Sequence, residues 1–199
     1  MISKPKFKIC RRLGPGVYDK CQTSKFASSA KSLPFGRRPK APTEYGAQLL
    51  EKQKIRFSYG LSERQLSNYV HKASHLKGAG TAEKLYESLE SRLDNIIYRM
   101  GLGVSRRAAR QMISHGHFIV NNHKITIPSY EVKTGDIVKI REGSKNKKIF
   151  ENLADRLKDY NSPAWVSFDL GGLEGKILSK PKNTGTFLDL NAVLEFYSR

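Results

Sequence analysis

The chain has 199 residues, with 36 Lys and Arg against 18 Asp and Glu, a formal charge of +18 and a pI near 10.0. Such an excess repels itself unless a polyanion neutralises it, so nucleic acid is the leading partner and an anionic membrane surface the second. No run approaches the ~18 apolar residues needed to span a bilayer, so the chain is expected to be soluble or peripheral, with nucleic acid and no membrane taken as the partner, and the 38% hydrophobic content supports a modest core in one or two domains.

Residues 1–60 hold 14 basic and 3 acidic residues. MISKPKFKICRR has no apolar segment of the secretory type and is read as part of the mature protein. Most of the stretch is rich in Gly, Pro, Ser and Lys without sustained periodicity, which predicts a basic extension, residues 1–42, poorly ordered when alone. Two readings stand for it: a solvated tail, or a segment that folds along RNA with Arg37, Arg38 and Lys40 on phosphates. Tyr45, Phe57 and Tyr59 among Lys52, Lys54 and Arg56 favour the second, because a solvating tail has no use for regularly spaced aromatics. Cys10 and Cys21 do not make a disulfide framework; free thiols in a reducing compartment are expected. With His71 and His75 they also fall short of the paired spacings of a structural zinc site, so no metal or other cofactor is expected.

From Leu61 the pattern becomes regular. Ser62 and Gln65 form a capping box with Leu61 and Leu66 as its hydrophobic staple, and the helix they open should stop before Gly78-Ala79-Gly80. A second helix from about Thr81 carries Leu85, Leu89, Leu93, Ile96, Ile97 and Met100 on one stripe, with a break near Glu90. Residues 61–90 have four basic and four acidic residues, which points to packing rather than RNA contact.

Residues 91–141 return to nine basic against three acidic. Within them SRRAARQMISHGH reads as a short helix with Ser105 at its N-cap and Ala109, Met112 and Ile113 as the buried stripe. Arg106, Arg107, Arg110 and Gln111 then fall on the opposite side, a face with no acid of its own and so suited to an anion. HFIVNNHKITI follows as two β arms about Asn121-Asn122, a pair that tolerates the positive φ of a two-residue hairpin turn. Thr134-Gly135-Asp136 turns the chain into a strand over Ile137–Ile140. Beyond Arg141 the charge is nearly balanced; LADRLKDY reads as a helix and PAWVSFDL as a strand bearing the single Trp.

The run from RLDNIIYRMGLGVSRRAARQMISHGHFIVNN to HKITIPSYEVKTGDIVKIR resembles the RNA-binding module of the small-subunit ribosomal protein four family. YGAQLLEKQKIRFSYGLSERQL, LKGAGTAEKLYESLESRLD and the terminal LEFYSR resemble the flanking parts of that family, in the expected order. The resemblance implies an α+β fold: a helical domain, residues 43–90 completed by 156–199, with a small α/β RNA-binding module of two to three helices and a short twisted sheet inserted at 91–155. It implies a structural, non-enzymatic component of the small ribosomal subunit that binds the 5′ region of its RNA early in assembly and supports accuracy where messenger RNA enters. Messenger RNA and neighbouring small-subunit proteins, five and as a further candidate three, are the implied partners besides ribosomal RNA. The family's four-cysteine zinc site and Gly-Gln-His-Gly loop are not present in this chain.

The RNA-binding candidates in the module are Arg92, Arg99, Ser105, Arg106, Arg107, Arg110, Gln111, His115, His117, Asn122, Lys124 and Lys139, joined by Arg11, Arg12, Arg37, Arg38, Lys52, Lys54 and Arg56. A buried pair with Asp94 is the alternative role for Arg92. Arg92-Leu93-Asp94 is also the tripeptide type that holds the catalytic Asp of pseudouridine synthases, but here it opens the module and too little chain follows Arg141 for a catalytic domain. A free-standing RNA chaperone built on the module would not need the flanking matches. An organelle-encoded mitochondrial protein is marginally favoured over a bacterial one, from the abundance of Lys, Asn and Ile and the wording of ISHGHFIVNN.

Overall fold

The computed structural model describes residues 5–30, 41–75, 80–158, 160–183 and 187–198, without the side chains of 28–30. Arg37, Arg38 and Lys40 lie outside the described residues. The described residues before 83 and after 183 form one unit, and residues 83–183 form another.

The first unit begins where the sequence predicts an unpacked extension. Helix α1 (Lys6–Leu13) buries Ile9, Cys10 and Leu13, and two short 3₁₀ turns, Pro15–Val17 and Asp19–Gln22, lead to α2 (Ser24–Ala30). Val17, Cys21 and Phe26 close a small core with α1, and Leu50 and Phe57 of α3 (Glu44–Ser58) pack against it. Cys10 and Cys21 are joined as a disulfide rather than held as free thiols. The sequence conceals this core because its apolar residues come singly between glycines, prolines and lysines. They meet only when the turns bring two-turn helices together.

Helix α3 is capped by Thr43, whose hydroxyl accepts from the Gly46 amide. Helix α4 (Glu63–His75) opens with the predicted capping box: the Ser62 amide donates to Gln65 Oε1 at 3.0 Å and the Gln65 amide to Ser62 Oγ at 3.2 Å. Helix α10 (Leu190–Ser198) lies against α3, where Gln48 Nε2 donates to Glu195 at 3.0 Å. Packing within this unit accounts for Phe57 and Tyr59 without RNA, whereas Tyr45 stays half exposed. Tyr45 stacks near Phe196, Phe57 packs on the N-terminal core and Tyr59 is buried.

Helix α5 (Thr81–Glu90), which enters the second unit at Glu83, breaks at Ser91 and Arg92 before α6 (Leu93–Arg99), and α7 (Arg106–Ser114) packs on α6. The strands β1 (Phe118–Val120), β2 (His123–Lys124) and β3 (Ile137–Ile140) fall where the sequence places them. Asn121 and Asn122 take φ of 47° and 67°, the left-handed pair a tight hairpin turn demands. After β3 come α8 (Glu142–Lys145) and α9 (Leu153–Lys158), then β4 (Val166–Asp169) and β5 (Glu174–Ile177). All five strands form one antiparallel sheet in the order β2-β1-β3-β5-β4.

That order moves the expected boundary. β5 pairs with β3, placing Val138 opposite Gly175, and the Gly135 amide donates to the Ile177 carbonyl at 2.9 Å. Residues 156–183, assigned from sequence to the helical domain, therefore belong to the unit of the module. The edge a three-stranded sheet would expose is covered by the added hairpin. Phe118, Val138, Ile113, Ile97 and Trp165 share the core between this sheet and the helices.

Since Gly14 donates to the Cys10 carbonyl and Cys21 to that of Tyr18, these amides should exchange slowly in the free protein. Hydrogen exchange measured without RNA checks this; exchange at the rate of an unfolded peptide would restore the disordered extension.

Candidate nucleic-acid interface

The surface around α7 is built over a buried ionic cluster. Asp94 and Glu90 are among the most buried residues of the chain. Arg92, 3% exposed, donates from Nε and Nη2 to Asp94 at 3.0 and 2.7 Å, and Arg110 approaches the same carboxylate at 2.6 Å. Arg99 holds Glu90 through two donors at 2.8 Å, and Arg106 reaches it at 3.9 Å while donating to Asn95 Oδ1 at 2.7 Å. Asn95 also donates to Glu90, and the Arg106 guanidinium lies 4.5 Å from the Tyr98 ring centre.

This corrects the picture of three equivalent arginines on a helix face. α7 carries no acid, but the end of α5 and the start of α6 bring two beneath its arginines. Arg92 is structural, as the alternative reading held. Arg99, Arg106 and Arg110 are ion-paired with their guanidinium groups partly exposed. Four guanidinium groups surround two carboxylates, so the cluster keeps a positive balance and presents it in fixed geometry. Arg107, in contrast, points outward from the second position of α7, with Gln111 one turn on and His115 beyond, all exposed.

Ser105 is absorbed by the fold, accepting from the Ala108 amide at 3.3 Å. His117 is 4% exposed, and its Nδ1 lies 3.0 Å from Ser144 Oγ, so most of the ring is taken up by the fold. Burial, helped by Lys147, His115 and Arg141, depresses its pKa below the ordinary 6.5. At the hairpin, Asn121 is engaged by Asp136 and by the Ile137 amide, leaving Asn122 and Lys124 exposed. Gly116, with φ of 71°, lies against the end of the Lys124 side chain, where a Cβ would collide. Lys139 pairs with Glu174 directly opposite in the register.

The candidates of the first unit divide likewise. Lys52 is 7% exposed, bound to Glu63 at 2.8 Å and seated 4.2 Å from the Phe196 ring centre; α10 covers it. Arg56 reaches Glu63 at 3.1 Å and Lys54 pairs with Glu51. Burial raises the pKa of Glu63, but hydrogen bonds from Lys52, Tyr197 and Arg56 outweigh it, and the carboxyl is held below its usual range. Arg11 and Arg12 are exposed on α1. Among the described residues no group of three or more His, Cys, Asp and Glu is placed to hold a metal ion.

Arg141 and Lys147, which are not among the sequence candidates, add positive charge near His117. The signal was present: the run from Arg141 to Lys148 holds four bases and one acid.

Two measurements test this construction. Asp94→Ala leaves the buried Arg92 without its partner and should destabilise the second unit by about 3–5 kcal/mol in urea unfolding. The His117 pKa is depressed on folding, so below about pH 6.5 the unfolded chain binds a proton that the folded chain declines. That share of stability is complete above the unfolded value and is lost as pH falls toward the folded one. His117→Asn should therefore flatten the fall in urea midpoint between about pH 7 and about pH 5.

Two family models match the chain: the S4 domain over residues 91–138, and the Ribosomal protein S4/S9 N-terminal domain over residues 2–90. Small ribosomal subunit protein uS4 of Halothermothrix orenii is 39% identical, with 98% of this chain and 97% of that protein covered. The uS4 proteins of Thermotoga petrophila and of Thermus thermophilus are 40% and 39% identical at the same coverage. All three relatives are bacterial, so the preference for an organelle-encoded mitochondrial protein is unsupported and is withdrawn. With both halves of the family's domain pair present and its bacterial members matched almost end to end, the chain belongs to the small ribosomal subunit protein uS4 family.

Proposed function

We propose that this protein is a structural constituent of the small ribosomal subunit, not an enzyme, and binds small-subunit ribosomal RNA directly. The observation that carries the reading is the exposed ridge of Arg107, Gln111 and His115 on α7, set on an ionic cluster whose arginines outnumber its acids. The side chains of Arg99, Arg106 and Arg110 are partly exposed, so their positive charge can meet phosphate while they stay anchored from below. Asn122 and Lys124 at the hairpin, and Arg11 and Arg12 on α1, are further proposed contacts. Shape-directed recognition of this kind needs phosphate and ribose contacts rather than a base code.

Family membership supports a finer reading: binding to the 5′ region of the RNA early in assembly, contact with small-subunit protein five and, as a further candidate, three, and a place near incoming messenger RNA with an influence on accuracy. A pseudouridine synthase or a free-standing chaperone does not fit a chain whose match covers 97% of the length of these uS4 proteins.

Salt and charge reversal test the RNA reading. With about five to eight phosphates neutralised, affinity for a small-subunit ribosomal RNA transcript should fall on the order of a thousandfold between about 50 and 200 mM salt. Arg107→Glu should weaken binding and make that dependence shallower, while changing unfolding free energy by no more than about 0.5 kcal/mol. Affinity flat across the salt range, or untouched by the reversal, removes the proposed face.

A further inference from the structure

The approach to α7 carries apolar side chains where a surface facing phosphates would ordinarily be polar. Val104 is 70% exposed and Ile149 is 47% exposed, and both line one groove of about 310 Å³ floored by Leu102 and Met112. Single exposed apolar residues are ordinary, whereas two large ones converging on one concavity mark a binding surface. The volume is at the low end of small-ligand sites, about 300–1,000 Å³. Gln111 and His115 also line the groove, so the ridge proposed to meet RNA is its wall.

The surrounding chemistry selects the occupant. No carboxylate lines the groove, Arg156 closes one side, and Arg107 stands one helical turn from Gln111. Arg141 and Lys147 lie close enough for their charge to reach His117, another lining residue. An anion-borne group is therefore favoured over the side chain of a basic protein. The walls offer aliphatic and imidazole surface on which a planar ring can lie, and the Gln111 amide supplies both a donor and an acceptor for its edge. We infer that this groove is a subsite for one unstacked nucleobase of the bound RNA. The inference rests on the proposed RNA-binding function and deepens it, adding a contact to a base beside the contacts to phosphate.

The two kinds of contact differ in salt dependence, because only phosphate neutralisation releases counterions. The full-length double variant Val104→Ser, Ile149→Ser removes apolar wall without changing charge. Against a small-subunit ribosomal RNA transcript it should bind about fivefold more weakly or worse, with the slope of log affinity against log salt unchanged. Both positions are exposed, so its thermal melt should stay near that of the native chain. If the double variant binds as the native chain does while Arg107→Glu binds more weakly, the base subsite is overturned and the RNA reading stands. If neither substitution matters, the RNA reading falls and the subsite with it. A loss accompanied by a shallower salt slope reports charge rather than a base and overturns the subsite. So does unchanged RNA affinity with poorer retention in reconstituted subunits, which assigns the groove to a protein neighbour. Ultraviolet cross-linking of the native complex gives a reading independent of variants: a nucleotide adduct between Gln111 and His115 is expected, and adducts confined to other segments overturn the proposal.

Discussion

Two carboxylates taken out of water set the terms for the second unit. Glu90 and Asp94 can be buried only if cations and hydrogen bonds replace their hydration, and Arg92, Asn95, Arg99, Arg106 and Arg110 do so. The acids sit at the end of α5 and the start of α6, and their partners come from the junction, α6 and α7. The same set of bonds therefore fixes where α6 and α7 lie and which way their guanidinium groups face. An ion cluster with more cations than anions serves as scaffold and as surface charge. It supplies donors whose positions are settled before a ligand arrives, so less side-chain freedom remains to be lost on binding.

The first unit uses its basic residues differently. Lys52 and Arg56, separated by one helical turn on α3, converge on Glu63 together with the Tyr197 hydroxyl, and α10 closes over them. Burial and the hydrogen bond to Glu63 push the Tyr197 pKa well up, so this phenol stays a donor. Net charge is accordingly a poor map of the contact surface. Positive residues that look available in a list are partly spent on packing. The outward face is smaller and better defined than the composition suggests.

Around α7 the proposed RNA face divides its labour. Arg107 and the anchored arginines offer long-range, salt-sensitive attraction, and the hairpin sets Asn122 and Lys124 on a tight turn. The groove beside Val104 and Ile149 adds apolar surface that ionic strength does not weaken. A chain of net charge +18 would bind any polyanion. Contacts that depend on shape and on a base can separate one RNA from the rest.

What the sequence determined by itself is what rests on neighbours within a turn or a hairpin. Ser62 and Gln65 cap α4, Ala109, Met112 and Ile113 face the core, and Asn121-Asn122 makes the turn, because each signal is complete within four residues. The exposure of Arg107 and Gln111 was legible from the same local periodicity, and the RNA-binding module from a resemblance that runs from Arg92 to Arg141. Tertiary structure alone decided the rest: Glu90 beneath Arg99 and Arg106, Lys52 under Phe196, Cys10 against Cys21, and β5 beside β3. In these pairs the partners are separated by stretches whose periodicity carries no trace of them. Whether a lysine or arginine meets solvent or a buried carboxylate depends on how helices pack, and helix packing is set by the summed burial of side chains scattered along the chain.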